Sequence, residues 1–256
     1  MSLSKIEFVP SVLFYTPLEC NNPIIIVNLE DIITVDISFS KERRDLFMFE
    51  GLSDILVDKI EGLLNSFLNV LKREIGEAYF RIKVAAKKNP YGLGLYVVLT
   101  HKLLKLLGLS DDESYEIGVA VDRELFQKEP LRYLLKALRT AVKEKKNIVF
   151  REGEPYIEIP FRHKIVVEDY MRLKCEKTIP TLLKEQAIRA SIIHLGGYTA
   201  LSLARCLLTT NECLDIIHEA LHILNSMTFL TYNLYPPLKG AYIEDIPGLI
   251  TLIDVI

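Results

Sequence analysis

The most informative local pattern in the chain is Lys87-Lys88-Asn89-Pro90-Tyr91-Gly92-Leu93-Gly94-Leu95. It follows an apolar alternation from Tyr79 to Ala86, which predicts a β-strand, and it precedes helical apolar spacing from Leu95 to Leu107. Glycines let the backbone come close to an anion, and the N–H groups and dipole of a helix N-terminus attract phosphate. The stretch therefore predicts either a phosphate-binding loop or an ordinary tight turn. The residues of the predicted loop are Pro90, Gly92, Leu93, Gly94, Leu95 and Tyr96.

Strand signals precede this loop, and helix signals lie on both sides of it. β-branched and aromatic runs predict strands at Ile6–Tyr15, Ile24–Leu29 and Ile32–Phe39. Apolar residues at three- and four-residue intervals predict helices at Ser53–Ile75, Leu95–Leu107, Ser110–Gln127 and Leu131–Lys143. The third of these helices opens with a capping box of Ser110 and Glu113. The first half of the chain is therefore predicted to combine a sheet with helices.

A second set of elements begins near residue 147. Apolar runs between glycines and prolines predict strands at Ile148–Phe150, Tyr156–Ile159 and Ile165–Val167. Helical spacing and a last pair of apolar runs predict helices at Ile179–His194, Tyr198–Leu208 and Glu212–Leu224, then strands at Gly240–Ile243 and Leu249–Ile256. We therefore predict an α+β protein with two domains, residues 1-147 and 148-256.

Composition and charge exclude several functions. The 256 residues are half hydrophobic, which is enough for a large buried core. A net charge of -3, from 31 basic and 34 acidic residues, provides no general electropositive surface for nucleic acid. Met1–Phe8 carries charges, and later apolar runs are cut by charge before the roughly 20 residues that a membrane span needs. We therefore predict a cytoplasmic protein that has neither nucleic acid nor a membrane as partner.

The four cysteines show neither CxxC spacing nor a dense framework. In a cytoplasmic protein this pattern predicts reduced, buried thiols. The cysteines are Cys20, Cys175, Cys206 and Cys213.

The span Asn89–Glu124 resembles the second motif of the GHMP kinase superfamily. The matching residues are Pro90, Gly92-Leu93-Gly94, Leu106-Leu107-Gly108-Leu109, Ser110, Glu113 and Ala120. In that family a glycine-rich loop is followed by a long helix, a short turn and a second helix with an acidic residue, and Glu124 stands at that place. The resemblance implies a GHMP-kinase-like fold, an N-terminal sheet with helices followed by a C-terminal ferredoxin-like α/β sandwich. It also implies ATP, Mg²⁺ and phosphoryl transfer to a small molecule, with Glu124 and Asp122 as candidate catalytic residues.

The sequence departs from the family at several catalytic positions. Leu95 and Tyr96 stand where a pair of hydroxyl residues is expected. The stretch Glu129-Pro130-Leu131-Arg132 replaces the family's GxxSGxD segment. Either a divergent enzyme uses Asp122 or Glu124, or the fold binds a ligand or a partner without phosphoryl transfer.

The two ends of the chain extend the resemblance. Lys239-Gly240-Ala241 lies near the family's glycine-rich third motif, where Glu244-Asp245 adds negative charge that is unfavourable beside phosphate. One branch of the superfamily departs from kinase chemistry, the β-ribofuranosylaminobenzene phosphate synthases. Their opening and terminal segments are similar to Pro10-Ser11 and Gly240-Ala241-Tyr242.

A different chemistry is suggested by the HExxH motif His218-Glu219-Ala220-Leu221-His222. A spacing of four places His218 and His222 on one helical face, where they can bind Zn²⁺ while Glu219 acts as the base. The motif resembles that of zinc metalloproteases, in which case Glu244 is the candidate third ligand. The same pattern also occurs on an ordinary amphipathic helix.

Three functions follow from these patterns. The first is a GHMP-kinase-like protein that binds ATP or another phosphorylated ligand and acts as a small-molecule phosphotransferase or a degenerate derivative of one. The second is a zinc-dependent hydrolase, and the third is a non-catalytic scaffold that binds a partner. The predicted ligand is a phosphorylated small molecule or a nucleotide, and a homodimer is left open.

Overall fold

The computed structural model describes residues 3–18, 21–173, 186–210, 212–232, 234–235 and 237–256. The described strands are β1 (Leu3–Phe14), β2 (Ile24–Phe39), β3 (Leu46–Glu50), β4 (Phe80–Ala86), β5 (Ile148–Phe150), β6 (Ile157–Glu158), β7 (Ile165–Arg172), β8 (Ala241–Glu244) and β9 (Leu249–Val255). The described helices are α1 (Asp54–Ile75), α2 (Gly92–Leu106), α3 (Asp111–Leu125), α4 (Glu129–Glu144), α5 (Gln186–Thr209) and α6 (Leu214–Tyr232). The predicted α+β class is confirmed.

One compact unit consists of Met1–Ser11 and Asn28–Lys145. Within it, β2 pairs antiparallel with β4, and β3 pairs parallel with β4. Residues of β4 alternate between buried and exposed until its last two positions, as expected for a strand with one face toward a core. Helices α1 to α4 pack against one another, and α3 begins with the predicted capping box of Ser110 and Glu113. This unit holds the predicted phosphate loop.

The second compact unit consists of Val12–Val27 and Lys146–Ile256. In it, β5 pairs antiparallel with the first residues of β2 and with β6. A three-stranded antiparallel sheet has the order β7-β9-β8, and α6 packs against β8 and β9 while α5 packs against α6. The domain division at 1-147 and 148-256 stays a prediction, and in the structure the unit that contains residues 146–256 also includes Val12–Val27.

Two elements are longer than the sequence predicts. The predicted strands Ile24–Leu29 and Ile32–Phe39 form one strand, β2. The charged residues between them keep their backbone N–H and C=O groups, so they do not interrupt a strand. The predicted helix Tyr198–Leu208 and the end of Ile179–His194 form one helix, α5, which continues through Gly196. A Cβ atom on Gly196 would lie 2.2 Å from the Thr16 hydroxyl oxygen, so this glycine marks close packing rather than a break. Residues 179–185 lie outside the described part of the chain.

The prediction of reduced thiols is wrong for two cysteines, since a disulfide joins Cys206 and Cys213. Cys206 lies in the last turn of α5 and Cys213 directly precedes α6, and their Cα atoms are 5.9 Å apart, a distance typical of disulfides. Spacing in the sequence does not reveal this proximity, because it depends on how the two helices pack. Cys20 and Cys175 lie outside the described residues.

Reduction of the Cys206–Cys213 disulfide is expected to lower the free energy of unfolding by about 2–3 kcal/mol, because the crosslink closes a short loop in the unfolded chain. Urea unfolding with and without reductant measures this change. A Cys206→Ser/Cys213→Ser variant serves as the control, because it should not respond to reductant. Thiol titration of the denatured, unreduced protein should find two of the four cysteines, and a count of four would contradict the prediction.

Helix α5 is the one described helix long and apolar enough to cross a membrane, with 24 residues in all and a mean hydropathy of 1.2 over its most apolar 18-residue window. Within its most apolar window, 44% of the residues are buried inside the protein. Core helices meet the same criteria of length and composition, so this helix is weak support for a membrane span. The predicted absence of a membrane partner and the cytoplasmic location stay predictions.

Candidate functional site

The predicted phosphate loop begins helix α2 and lies inside the protein. Helix α2 starts at Gly92, and Tyr91 precedes it as the N-cap residue without a side-chain hydrogen bond to the helix. Every residue from Pro90 to Thr100 is buried. The predicted order of strand, loop and helix is confirmed, whereas phosphate binding by the loop stays a prediction.

Gly94 packs against the backbone of β1. A Cβ atom on Gly94 would lie 1.9 Å from the carbonyl oxygen of Pro10 and 2.8 Å from Cγ1 of Val9. Both distances are shorter than real Cβ contacts, so a larger residue at this position requires the backbone to move. The space that a side chain at position 94 would fill is therefore occupied by β1 of the same chain.

Tyr96, where the family has a hydroxyl residue, is part of the core. Its side chain is fully buried and makes edge-to-face contacts with Phe67 and Phe126, with ring centroids 6.1 and 6.0 Å away. Its phenol donates a hydrogen bond of 2.8 Å to Oδ1 of Asp122 on α3. The neighbouring Leu95 is also fully buried and has no side-chain oxygen. The only side-chain hydroxyl at these two positions thus binds a carboxylate inside the protein.

Asp122 and Arg139 form a buried ion pair next to Tyr96. Nε of Arg139 lies 2.6 Å from Oδ2 of Asp122, and Nη2 lies 2.9 Å from Oδ1. Both side chains are at most 3% exposed. The third nitrogen, Nη1, has no hydrogen-bond partner among the described residues and lies beside Gly118, where a Cβ atom would be 2.3 Å away. Bidentate pairing of this kind fixes the position of both groups.

The pKa values of Arg139 and Tyr96 are both shifted upward. Burial by itself would lower the pKa of Arg139, but the Asp122 carboxylate raises it, and the net shift is upward. The pKa of Tyr96 is also raised, first by burial and then by the Asp122 charge. We call this group the Tyr96–Asp122–Arg139 cluster. Neither Arg139 nor Tyr96 exchanges a proton near neutral pH, so these two members of the cluster are poorly suited to acid–base catalysis.

Arg139 is a site residue that sequence reasoning did not single out. Its position four residues after Leu135 and next to Leu138 puts a charge on the apolar face of α4, where both leucines are buried. A buried arginine needs a partner, so this pattern is a usable signal. It does not reveal that the partner is Asp122.

Glu124, the other candidate catalytic residue, lies at a different place. Its carboxylate is about half exposed and accepts a 2.6 Å hydrogen bond from Nη1 of Arg73 on α1. Because residues two apart on a helix do not face the same direction, Glu124 and Asp122 do not share a site. The structure therefore brings Asp122 together with Tyr96 but leaves Glu124 at the surface.

Mg²⁺ and ATP are the groups that the GHMP resemblance implies, and the residues beside the loop do not fit Mg²⁺. Mg²⁺ prefers carboxylate and hydroxyl oxygens, but both oxygens of Asp122 accept hydrogen bonds from Arg139, and Oδ1 also accepts one from Tyr96. A second cation at Asp122 would be repelled by the guanidinium. Leu95 offers no ligand in place of the expected hydroxyl.

The zinc alternative finds no support in the described residues. There, no group of three His, Cys, Asp or Glu side chains is placed to hold a metal ion. Nε2 of His218 lies 3.2 Å from the carbonyl oxygen of Val255 on β9, while His222 and Glu219 are exposed on α6. Glu244, the predicted third ligand, lies on β8.

Gly240, in the segment similar to the third GHMP motif, has a packing role at the start of β8. Its φ is +72°, and a Cβ atom there would lie 1.9 Å from the carbonyl oxygen of Ile253. The side chain of Asn225 donates to the Gly240 carbonyl at 2.8 Å and accepts from the N–H of Tyr242 at 3.0 Å. Further along, Asp245 is buried and accepts a 2.5 Å hydrogen bond from Thr251. These contacts join β8 to α6 and β9.

Comparison with solved structures identifies the fold. The chain superimposes on phosphomevalonate kinase of Streptococcus pneumoniae, solved in complex with phosphomevalonate and AMPPNP, with a TM-score of 0.54 and 11% identity over 99% of this chain and 92% of that one. Mevalonate kinase of Methanococcus jannaschii gives 0.55 and 11% over 100% and 90%. Mevalonate diphosphate decarboxylase of Staphylococcus aureus gives 0.57 and 11% over 99% and 87%.

These proteins are GHMP-type enzymes, so the resemblance seen in Asn89–Glu124 is confirmed at the level of the fold. The chain has a GHMP-kinase fold along its whole length. No protein-family model matches the sequence, and no curated protein matches it. At 11% identity the similarity describes architecture and leaves the activity to be argued from this chain's own residues.

Proposed function

We propose that this protein is a degenerate derivative of the GHMP kinases that acts as a binding scaffold and transfers no phosphoryl group at Pro90–Tyr96. The observation that carries the proposal is the Tyr96–Asp122–Arg139 cluster. In this cluster the Tyr96 hydroxyl donates to the Asp122 carboxylate, and the same carboxylate pairs with Arg139 inside the core. The loop then serves to join α2 to β1 through Gly94.

Energetics support this proposal over a divergent kinase. For Mg²⁺ to take Asp122 as a ligand, Arg139 would have to give up its partner while it remained about 1% exposed. Removal of one partner of a buried ion pair typically costs about 3–5 kcal/mol. Glu124 is at the surface with Arg73 and gives the loop no carboxylate in its place. A divergent kinase would need ligands at other positions of the chain.

The competing function is a kinase that holds the phosphates of ATP through Lys87 and Lys88, which are exposed directly before the loop. Lysines in this position attract a nucleotide through charge alone. A Lys87→Ala/Lys88→Ala variant removes that charge without a change in the core. The matched control is Lys41→Ala/Arg43→Ala, which removes two exposed positive charges elsewhere in the same unit.

Mg-ATP and Mg-ADP at about 1 mM are expected to shift the midpoint of thermal unfolding by less than about 2 °C, because a ligand that does not bind the native state does not stabilise it. Differential scanning fluorimetry measures the shift, and release of phosphate from ATP is followed in parallel. A larger shift that the Lys87→Ala/Lys88→Ala variant loses and the control keeps would overturn the proposal. Phosphate release above the buffer rate that the same variant abolishes would do so as well.

A further inference from the structure

Charges of opposite sign are segregated between helices α5 and α6. Helix α5 contains no Asp or Glu and carries Arg189 and Arg205, whereas α6 contains no Lys or Arg and carries Asp215 and Glu219. All four side chains are exposed. Within the described residues, none of the four takes part in an ion pair. Each helix therefore presents one sign of charge to its surroundings.

Large apolar side chains accompany these charges on the exposed side of α5. Tyr198, Leu201 and Leu208 are 74%, 61% and 47% exposed, and Leu195 is 44% exposed. Tyr198, Leu201, Arg205 and Leu208 follow one another at intervals of three, four and three residues, so they lie on one face of the helix. Alternating steps of three and four are typical of a seam where two helices pack. The exposed face of α5 is thus an apolar stripe with a positive charge in it.

The two helices form one hairpin. They pack against each other and are joined by residues 210–213, a connection short enough to make neighbouring helices antiparallel. The disulfide between Cys206 and Cys213 links the end of α5 to the start of α6. Arg205 near the end of α5 is therefore at a level similar to Asp215 and Glu219 near the start of α6.

We propose that two copies of this chain pair through the α5–α6 hairpin, so that the apolar, basic face of α5 in one copy packs against the acidic face of α6 in the other. A two-fold axis makes every such contact twice, because the same patch serves on both copies. Arg205 of each copy then faces Glu219 of the other. The pairing covers the apolar stripe and gives both charges a partner.

Other occupants fit these charges less well. If α5 met α5 across a two-fold axis through the stripe, Arg205 would find no acidic partner, because α5 contains no Asp or Glu. An anionic membrane surface would attract Arg205 but would repel Asp215 and Glu219 on the adjoining helix. The acidic residues of α6 thus supply the opposite charge that Arg205 in the stripe on α5 lacks. The exposed Glu219 of the HExxH motif gains a role that involves no metal.

Analytical ultracentrifugation of the full chain tests the proposal, with an expected mass of twice the 29.3 kDa of one chain. Leu201→Glu puts a charge in the centre of the stripe and is expected to raise the dissociation constant at least about a hundredfold. Ile75→Glu is the matched control, because Ile75 is a similarly exposed apolar residue at the end of α1. Circular dichroism confirms that the variants are folded.

A charge exchange tests the pairing itself. Arg205→Glu and Glu219→Arg are each expected to raise the dissociation constant about tenfold or more, because each juxtaposes like charges. The double variant restores opposite signs and is expected to return to within about threefold of the natural protein. A double variant as weak as the single ones would overturn the pairing, as would a natural protein of 29.3 kDa at every concentration. Monomers that bind phosphatidylserine vesicles in a Leu201-dependent manner would replace the second copy with a membrane surface.

Discussion

Arg139→Met is expected to lower the free energy of unfolding by about 3–5 kcal/mol, because it leaves the carboxylate of Asp122 without its partner in the core. Methionine keeps much of the length of the arginine side chain, so loss of volume contributes little. Urea unfolding followed by circular dichroism measures the change, since the chain has no tryptophan for fluorescence.

Two further variants separate charge from packing. Arg139→Met/Asp122→Asn removes both charges and leaves an acceptor for the Tyr96 phenol, so about half or more of the lost stability should return. Arg73→Met breaks the exposed pair with Glu124 and should cost about 1 kcal/mol or less. If Arg139→Met cost no more than Arg73→Met, the cluster would not be the structural centre that the proposed function requires.

Local signals in the sequence predicted much of the N-terminal unit. The alternation of β4, the capping box at Ser110 and the apolar spacing of α1 to α4 depend on residues within one or two turns of each other. The short strand β3 was missed because its five residues follow a charged turn and pair with β4 in parallel, a contact that needs the intervening helix α1. Elements held by distant contacts leave little trace in the local pattern.

In the candidate site, too, local features were predicted from the sequence, and features that depend on distant contacts were not. The sequence placed a glycine-rich turn before a helix at Gly92–Gly94, and the structure has that turn. What fills the space beside Gly94 is Pro10, more than 80 positions earlier, and no spacing rule connects the two. The sequence made Asp122 a candidate catalytic residue. Its partner, Arg139, lies on the next helix, so the residues near Asp122 in the sequence do not reveal the ion pair. A residue type suggests a chemistry, but its neighbours in space decide whether that chemistry is available.

Gly94→Ala is expected to destabilise the protein by at least about 3 kcal/mol, although alanine is the better helix former, because the added methyl group would lie 1.9 Å from the Pro10 carbonyl oxygen. Gly62→Ala is the matched control: Gly62 lies within α1, a Cβ atom there meets nothing within 4 Å, and the substitution should add about 0.5–1 kcal/mol. Urea unfolding of both variants measures the difference.

The pair of glycine variants also tests what Gly94 is for. A glycine kept for a bound phosphate would tolerate a methyl group in the ligand-free protein and would lose only ligand affinity. A glycine kept for β1 fails without any ligand, since its neighbour is backbone that cannot rotate away. If Gly94→Ala were as stable as Gly62→Ala, the contact with Pro10 would be too loose to matter, and the loop would again be a candidate phosphate site. A large loss in Gly94→Ala alone makes the glycine-rich turn a packing feature of this GHMP fold.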